Sequence, residues 1–260
     1  MYILADNQTK EALAIDPLAN KLCLQTATDH GYKITQVLNT HHHHDHIGGN
    51  QKVIAATGAS LLAHANASIP SVDRALNVGD SVTIGSFELQ VLDTPGHTLS
   101  HVCLYFPGNS SLGESYTGQD LAAEHSLQPA LFSGDTLFNA GVGNCYNGGH
   151  PEIMFETISQ GFNQLPGNTR LFPGHDYIEN NLRFSLDIEP TNLAAKELLQ
   201  TLQQYGDGEN YVTTLKEEQS INVFMRLEST AVRETLLQRG YVCDDNKSTF
   251  LALRELRNQW

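Results

Sequence analysis

Histidine and aspartate are concentrated in one stretch, THHHHDHIGG, of a chain that contains 12 histidines. Residues two apart project the same way in an extended or tightly turned loop, so His41 and His43 can bind one metal ion. Asp45 and His46 follow on the next turn and can face a second ion. Imidazole and carboxylate ligands suit Zn(II), with Fe and Mn as competitors. The stretch therefore predicts half of a metal site. The alternative is a solvent-exposed run of histidines that binds no metal.

Three later motifs offer the same ligand types, and each follows an apolar run of strand length. TPGHT contains His97, FSGDTLF contains Asp135 and FPGHD contains His175. Each motif alone is weak, because such glycine turns are common. Loops at strand ends can gather side chains at one mouth of a sheet. All four motifs in this order therefore predict a metal centre assembled from distant parts of the chain.

Short strands must position these motifs in the first two-thirds of the chain. YILA and EALAID predict a hairpin, and strand-like runs follow as KLCLQ, TQVLN, SVTIG, FELQVLD, HVCLYF, ALFSGD and TRLFP. Helical patterns lie between them, near residues 50–57 and 151–165. The polar stretch Gly113–His125 predicts a surface insertion that could shape the mouth of the pocket.

The pattern becomes helical after about residue 179. Thr214 and Glu217 predict a capping box, and Ser248 predicts the cap of the last helix. We therefore predict an α/β domain over residues 1–178 and a small helical domain over residues 179–260.

The composition restricts the classes of partner. A formal net charge of -14 disfavours nucleic acid and anionic membrane surfaces, and an anionic substrate would need help from metal ions or arginines. The four cysteines form no CxxC pair, which is typical of reduced thiols in a cytoplasmic protein. We expect neither a signal peptide nor a membrane span, because no apolar run approaches about 18 residues.

The motifs THHHHDHIGGN, TPGHTLSHVCLYF, LFSGDTLFNAGVGNCYNGG and LFPGHDYIENNLRF together resemble the metallo-β-lactamase superfamily, and within it glyoxalase II (hydroxyacylglutathione hydrolase). NVFMRL and the final helix extend the likeness to the C-terminus. The resemblance implies an α/β fold, a four-layer αββα sandwich with a small C-terminal α-helical domain. It also implies that the chain begins inside the family's first hairpin, so that an edge strand is missing or the natural start lies upstream.

The resemblance further implies two divalent metal ions, with Zn preferred over Fe or Mn. The implied ligands are His41, His43 and His97 for the first metal, Asp45, His46 and His175 for the second, and Asp135 as the bridge. Two Lewis acids would lower the pKa of a bridging water from about 15.7 towards 7, so that hydroxide exists at neutral pH. Asp45 and Asp135 would be the catalytic carboxylates beside it.

The reaction implied by the resemblance is hydrolysis of S-(2-hydroxyacyl)glutathione to a 2-hydroxy acid and glutathione, as in methylglyoxal detoxification. Tyr146 and Tyr177 would contact the glutathione of this small-molecule thioester. Arg254 and Arg257, three apart on one helical face, would bind its glycyl carboxylate, the alternative being a solvated helix end. Asn144 departs from the family, where many members have lysine, so one cationic contact to glutathione is lost.

Other functions stay open at this point. A persulfide dioxygenase-like oxidoreductase of the same fold would need one iron in an open site, which the intact second ligand set disfavours. A lactonase is disfavoured by the helical tail with its paired arginines, and a nuclease by the negative charge. A metal store has no need of an ordered two-metal set. The expected assembly is a monomer or a small homo-oligomer.

Overall fold

The computed structural model describes two compact units. The described residues are 1–108, 128–205 and 211–260. Unit 1 comprises residues 1–94 and 100–107, and unit 2 comprises residues 95–99 and 108–260. The predicted insertion Gly113–His125 lies outside the described residues. The predicted domain boundary near residue 178 stays a prediction.

A mixed five-stranded sheet forms the first part of unit 1. Its strands, in both chain order and sheet order, are β1 (Tyr2–Ala5), β2 (Glu11–Ile15), β3 (Lys33–Leu38), β4 (Ser60–His64) and β5 (Arg74–Leu76). The first pair is antiparallel, as the predicted hairpin requires, and the other neighbours are parallel. Four of the five residues of β2 are buried, because this strand lies inside the sheet.

The helices of unit 1 include one that replaces a predicted strand. They are α1 (Asn20–Asp29), α2 (His44–Ile47) and α3 (Asn50–Thr57). The run KLCLQ lies in α1, so its interpretation as a strand is wrong. Cys23 and Ala27 are buried while Leu22 is 60% exposed, which is the four-residue spacing of an amphipathic helix. Together with Val53 of α3 they pack into the apolar core beside the sheet.

Unit 1 also contains an antiparallel meander of β6 (Ser81–Ile84), β7 (Phe87–Asp93) and β8 (Val102–Phe106). Gly85 begins the two-residue turn between β6 and β7 with a φ of 54°. A Cβ there would lie 2.1 Å from Asp6 Oδ2, so the turn requires glycine.

Unit 2 has two small groups of strands. Strand β9 (Ala130–Gly134) pairs in parallel with β12 (Arg170–Pro173), and β10 (Leu137–Phe138) forms a hairpin with β11 (Gly141–Val142). Both strand pairs are largely buried.

Helices make up the rest of the described part of unit 2. Helix α4 (Pro151–Glu156) continues into a π-helical turn (Thr157–Gly161) and a 3-10 turn (Phe162–Gln164). The later elements are α5 (Ile178–Ile188), α6 (Leu193–Leu202), α7 (Leu215–Ile221), a 3-10 turn (Val223–Met225), α8 (Thr230–Gln238) and α9 (Asn246–Gln259). Within the described ranges, no helix has the length and apolarity that crossing a bilayer requires.

Two helix caps test the local predictions. The capping box of Thr214 and Glu217 is confirmed at the start of α7. The prediction that Ser248 caps the last helix is wrong, because Asp245 is the N-cap and Ser248 is its partner three residues later. The Asp245 carboxylate accepts the Ser248 N–H at 2.7 Å and brings a negative charge to the positive end of the helix dipole.

Candidate metal centre

Each predicted ligand motif follows a strand, as the sequence pattern indicated. His41 comes three residues after β3, and α2 starts at His44. His97 follows β7 after the Thr-Pro-Gly turn, Asp135 directly follows β9, and His175 follows β12 after one glycine.

In unit 1, the buried Asp16 carboxylate orients two of the histidines. Its Oδ2 accepts hydrogen bonds from His46 Nδ1 at 2.9 Å and from Thr40 Oγ1 at 2.7 Å. Because the Thr40 hydroxyl donates to Asp16, its oxygen accepts from His41 Nδ1 at 3.0 Å. Both imidazoles therefore carry their proton on Nδ1 and their lone pair on Nε2, which is the atom that can bind a metal ion.

His41 and His43 present two nitrogen atoms to one point. His41 Nε2 lies 3.0 Å from His43 Nδ1, and the two rings meet edge to face. Two nitrogens bound to one tetrahedral Zn at about 2.0–2.1 Å would lie about 3.3 Å apart, so this spacing fits a shared metal. His101 stacks on the His41 ring at 5.1 Å and thus supports its orientation.

In unit 2, one carboxylate oxygen lies beside two imidazoles. Asp135 Oδ2 is 3.6 Å from His97 Nε2 and 3.4 Å from His175 Nε2. His97 Nδ1 donates to the Asn144 carbonyl oxygen at 2.6 Å, and a carbonyl can only accept. His97 therefore also directs the Nε2 lone pair towards Asp135, an arrangement suited to ligands of neighbouring cations.

Gly143 permits a close approach of backbone to this cluster. A Cβ at this position would lie 1.9 Å from the Asp135 carbonyl oxygen and 3.0 Å from His97 Nδ1. The glycine is therefore required by packing, since Asp135 and His97 leave no room for a side chain.

The other residues of the histidine run differ in their surroundings. Asp45 is half exposed, with Oδ2 3.8 Å from His46 Nε2. His44 is exposed at the start of α2, and His42 is half-buried. Burial, followed by the nearby His43, lowers the pKa of His42.

The donor set fits divalent metal ions. Imidazole nitrogens and carboxylate oxygens that could hold an ion come from His41, His43, Asp45 and His46 in unit 1, and from His97, Asp135 and His175 in unit 2. Three of these histidines have their other ring nitrogen bonded to a hydroxyl, a carboxylate or a carbonyl. This outer pairing is the usual support of metal-binding histidine, so these side chains can hold metal ions.

The aromatic residues predicted to bind substrate are accessible. Tyr177 is 47% exposed and stacks on the His175 ring at 5.2 Å, which places it beside a candidate ligand. Tyr146 is 67% exposed, and its N–H donates to Oδ1 of the exposed Asn144 at 3.2 Å. Their contact with a substrate stays a prediction.

Arg254 is only 5% exposed and is already engaged by the protein. Its Nη1 donates to the carbonyls of Val142 at 3.1 Å and Gly143 at 3.0 Å, and its Nη2 donates to Asn258 at 2.8 Å. Burial lowers its pKa to about 10, so the group stays cationic at neutral pH. Arg257 is half-buried, and binding of a carboxylate by either arginine stays a prediction.

Asp16 is the main residue that the sequence reasoning missed. It follows strand β2 in the stretch AIDP, and it adopts a φ of 48°, which is uncommon for a non-glycine residue. An aspartate between a buried strand and a proline was the available signal. Its histidine partner is 30 residues away, so the pairing could not be inferred from spacing.

Comparisons with known proteins agree with this architecture. The family model "Metallo-beta-lactamase superfamily" matches residues 9–112, and the model "Hydroxyacylglutathione hydrolase C-terminus" matches residues 176–260. The crystal structure of ETHE1 from Myxococcus xanthus aligns with a TM-score of 0.64 at 22% identity, covering 99% of this chain and 85% of that chain. The predicted metallo-β-lactamase fold with a helical C-terminal region is confirmed.

Two curated relatives are similar over the whole chain. The hydroxyacylglutathione hydrolase of Polaromonas sp. is 48% identical over 265 residues, covering all of this chain and 94% of the relative. That of Nitrosococcus oceani is 48% identical over 266 residues, with the same shares covered. Full-length similarity at this level shows the family. The chain therefore belongs to the hydroxyacylglutathione hydrolase family of the metallo-β-lactamase superfamily.

Proposed function

We propose that this protein is a dinuclear-metal thioester hydrolase that cleaves S-(2-hydroxyacyl)glutathione into a 2-hydroxy acid and glutathione. The observation that carries the proposal is the outer hydrogen bonding of His41, His46 and His97 at Nδ1, which places the lone pair of each ring on Nε2, an atom that can bind a metal ion. Family membership supports the thioester as substrate, because both curated relatives are named hydroxyacylglutathione hydrolase.

The ligand assignment that we propose is the one that the family resemblance implies. His41, His43 and His97 would hold the first metal, Asp45, His46 and His175 would hold the second, and Asp135 would be shared by both. When bound, two divalent cations supply Lewis acidity, which polarises an acyl carbonyl and lowers the pKa of a water. The position of Asp135 Oδ2 between two imidazoles at 3.6 and 3.4 Å supports its role as the bridge.

The protein's own residues would then orient the attacking water and neutralise the charge of the metal ions. Asp135 and Asp45 are the anionic groups that neutralise the cations and accept hydrogen bonds from the attacking water. Hydrolysis joins the water oxygen to the acyl carbon and breaks the carbon–sulfur bond. The sulfur leaves with its electron pair as thiolate, and the protons of the water are released to solvent. A thiol of pKa about 8.5 is a competent leaving group, so the reaction needs no separate protein acid.

For the substrate, Tyr177 and Tyr146 offer exposed aromatic faces to glutathione. Asn144 contributes an amide at the position where the family resemblance implies a lysine. Arg257 is the more accessible of the two arginines for the glycyl carboxylate. Arg254 contributes through the backbone of Val142 and Gly143, which it already binds.

We further propose zinc as the native metal, with Fe or Mn as substitutes. The substrate is a small molecule, and the net charge of -14 argues against nucleic acid or an anionic membrane as a partner. The four cysteines are free thiols, which supports a reducing, cytoplasmic location. The working form is a monomer or a small homo-oligomer.

Hydrolysis of S-D-lactoylglutathione, compared with a panel of other thioesters and lactones on metal-quantified protein, tests the proposal. We expect two metal ions per chain and a preference for the glutathione thioester. One iron per chain with oxygen uptake, or a preference for lactones, would contradict it.

Two variants sharpen this assay. His43→Ala removes a metal ligand and should abolish turnover. Arg254→Ala leaves the ligands in place but releases the carbonyls of Val142 and Gly143, so it should lower kcat without abolishing turnover. Equal and total loss in both variants would contradict the role assigned to Arg254.

A further inference from the structure

The segment from Asn139 to Asn144 runs from β10 to the cluster of His97, Asp135 and His175 in unit 2. Its last residue gives its carbonyl to His97 Nδ1 at 2.6 Å, and Gly143 lies against the Asp135 carbonyl. The position of this segment therefore sets the orientation of a proposed metal ligand. We call it the 139–144 segment.

Side chains from the C-terminal helices hold five consecutive carbonyls of the 139–144 segment. The donors and acceptors pair as Asn181 Nδ2 with Asn139 O at 2.9 Å, Ser185 Oγ with Ala140 O at 3.5 Å, Asn222 Nδ2 with Gly141 O at 3.1 Å, and Arg254 Nη1 with Val142 O at 3.1 Å and Gly143 O at 3.0 Å. A buried backbone that is not in a long sheet needs such partners, so the helices fix this segment.

Glu218 of α7 is the acceptor at the centre of this arrangement and is 0% exposed. Its Oε2 accepts the Ala140 N–H at 2.8 Å and Asn222 Nδ2 at 3.0 Å. Its Oε1 accepts from Thr213 Oγ1 at 2.7 Å, and that hydroxyl accepts from Asn139 Nδ2 at 2.7 Å. One carboxyl group thus binds the start of the segment directly and also orients the side chain that binds Gly141.

Backbone geometry makes the Ala140 contact consequential. Ala140 has a φ of 57°, a left-handed conformation that costs free energy for a residue with a Cβ. The hydrogen bond from its N–H to Glu218 holds the chain in this conformation. Without the carboxyl group the bend would relax, and the displacement would pass along a short, buried segment to the Asn144 carbonyl.

We propose that Glu218 is a positioning residue for the metal centre: it fixes the 139–144 segment, whose final carbonyl orients His97. This inference rests on the proposed function, because it takes His97 as a metal ligand. The helical region would accordingly serve catalysis by shaping the metal site, besides any contact that it makes with substrate.

Competition between the zinc-loaded protein and a chromogenic chelator tests the proposal without substrate. Glu218→Ala should weaken zinc binding about tenfold and lower kcat by a similar factor, with KM within about threefold of wild type. Glu218→Asp keeps the charge but shortens the side chain, so it should fold readily and show an intermediate loss. Glu218→Gln keeps an oxygen that can accept the Ala140 N–H and offers an N–H to the Thr213 hydroxyl oxygen. This variant should therefore bind zinc with the affinity of the wild type.

Leu236→Ala is the matched control, because Leu236 is a fully buried residue of α8 that makes no hydrogen bond to the 139–144 segment. It should lower the thermal midpoint while zinc affinity stays at the wild-type value. If Glu218→Ala and Glu218→Asp lowered only the thermal midpoint, Glu218 would be merely structural and the inference would fail alone. A wild-type protein that bound no divalent metal would overturn both this inference and the proposed function.

Discussion

Among single residues, Asp16 has the widest influence on the histidines of unit 1. Its two oxygens accept from His46 Nδ1, from the Thr40 hydroxyl and from the Thr40 N–H, so that one carboxylate sets the tautomers of two imidazoles. A metal ion binds the lone pair of a neutral imidazole, and binding is tightest when the ring already points at the ion. We therefore expect Asp16 to raise metal affinity by orienting these histidines, without being a ligand itself.

Replacing Asp16 by Asn should weaken zinc binding about 10- to 100-fold. The shape is kept, but the new amide must turn a donor towards groups that already donate, either at His46 or at Thr40. Zinc affinity by chelator competition is the measurement. Asp29→Asn, at the exposed end of α1, removes a charge of the same type and should leave zinc affinity unchanged. Equal affinities for Asp16→Asn and wild type would contradict this role.

The candidate metal ligands could be predicted from the sequence, whereas the residues that orient them could not. His41, His97 and Asp135 were predicted because their residue types carry the chemistry and stand in short motifs after apolar runs. Asp16 and Glu218 were not, because their partners lie 30 and 78 residues away along the chain. A hydrogen bond between such distant residues depends on the fold, so it cannot be predicted from the local spacing of residues in the sequence.

At the scale of elements, the alternating strands were predictable and the short apolar runs were ambiguous. KLCLQ fits either a strand or one turn and a half of a helix, and only burial of Cys23 and Ala27 decides for α1. The cap of α9 was misplaced by three residues, because Asp245 and Ser248 can each serve as a cap. The hairpin of β10 and β11 is two residues per strand, too short for any periodic signal.

The loop after β11 gives a test at this scale. Gly143→Ala would place a Cβ 1.9 Å from the Asp135 carbonyl oxygen, so the backbone of the loop must move by an ångström or more. Misplacement of this size at a catalytic group should lower kcat about 100-fold. Gly161→Ala is the control, since a Cβ at Gly161 meets nothing within 4 Å and should leave kcat unchanged. Wild-type kcat in Gly143→Ala would show that the loop tolerates the shift.

For the molecule as a whole, the buried Glu218 links stability to pH. Burial raises the pKa of its carboxyl from 4.5 to about 7, with Thr213, Asn222 and Ala140 partly opposing the shift and Glu217 adding to it. A raised pKa means that the folded state retains a proton that the unfolded state has lost. The free energy of unfolding should therefore fall as pH rises from about 4.5 to about 7, and this contribution should be constant above that range.

Denaturant unfolding of wild type and Glu218→Gln at pH 5 and pH 8 isolates this effect, because the histidines contribute equally to both proteins. Wild type should lose about 2 kcal/mol relative to Glu218→Gln between these two pH values. A difference that is independent of pH would mean that Glu218 titrates alike in the folded and unfolded states.

The overall charge also bears on substrate capture. A glutathione thioester is a net anion, and a chain with a formal net charge of -14 repels it at long range. Salt screens this repulsion over about 10 Å at 0.1 M, so kcat/KM of the wild-type protein should rise with ionic strength.

Asn144→Lys places a cation at an exposed position beside Tyr146 and should lower KM about threefold at low salt, with a smaller gain at high salt. Asn66→Lys adds the same charge at an exposed site of unit 1 and should have a much weaker effect. A wild-type kcat/KM that fell with salt would instead mean that local cations, foremost the metal ions and Arg257, already outweigh the net charge at the site.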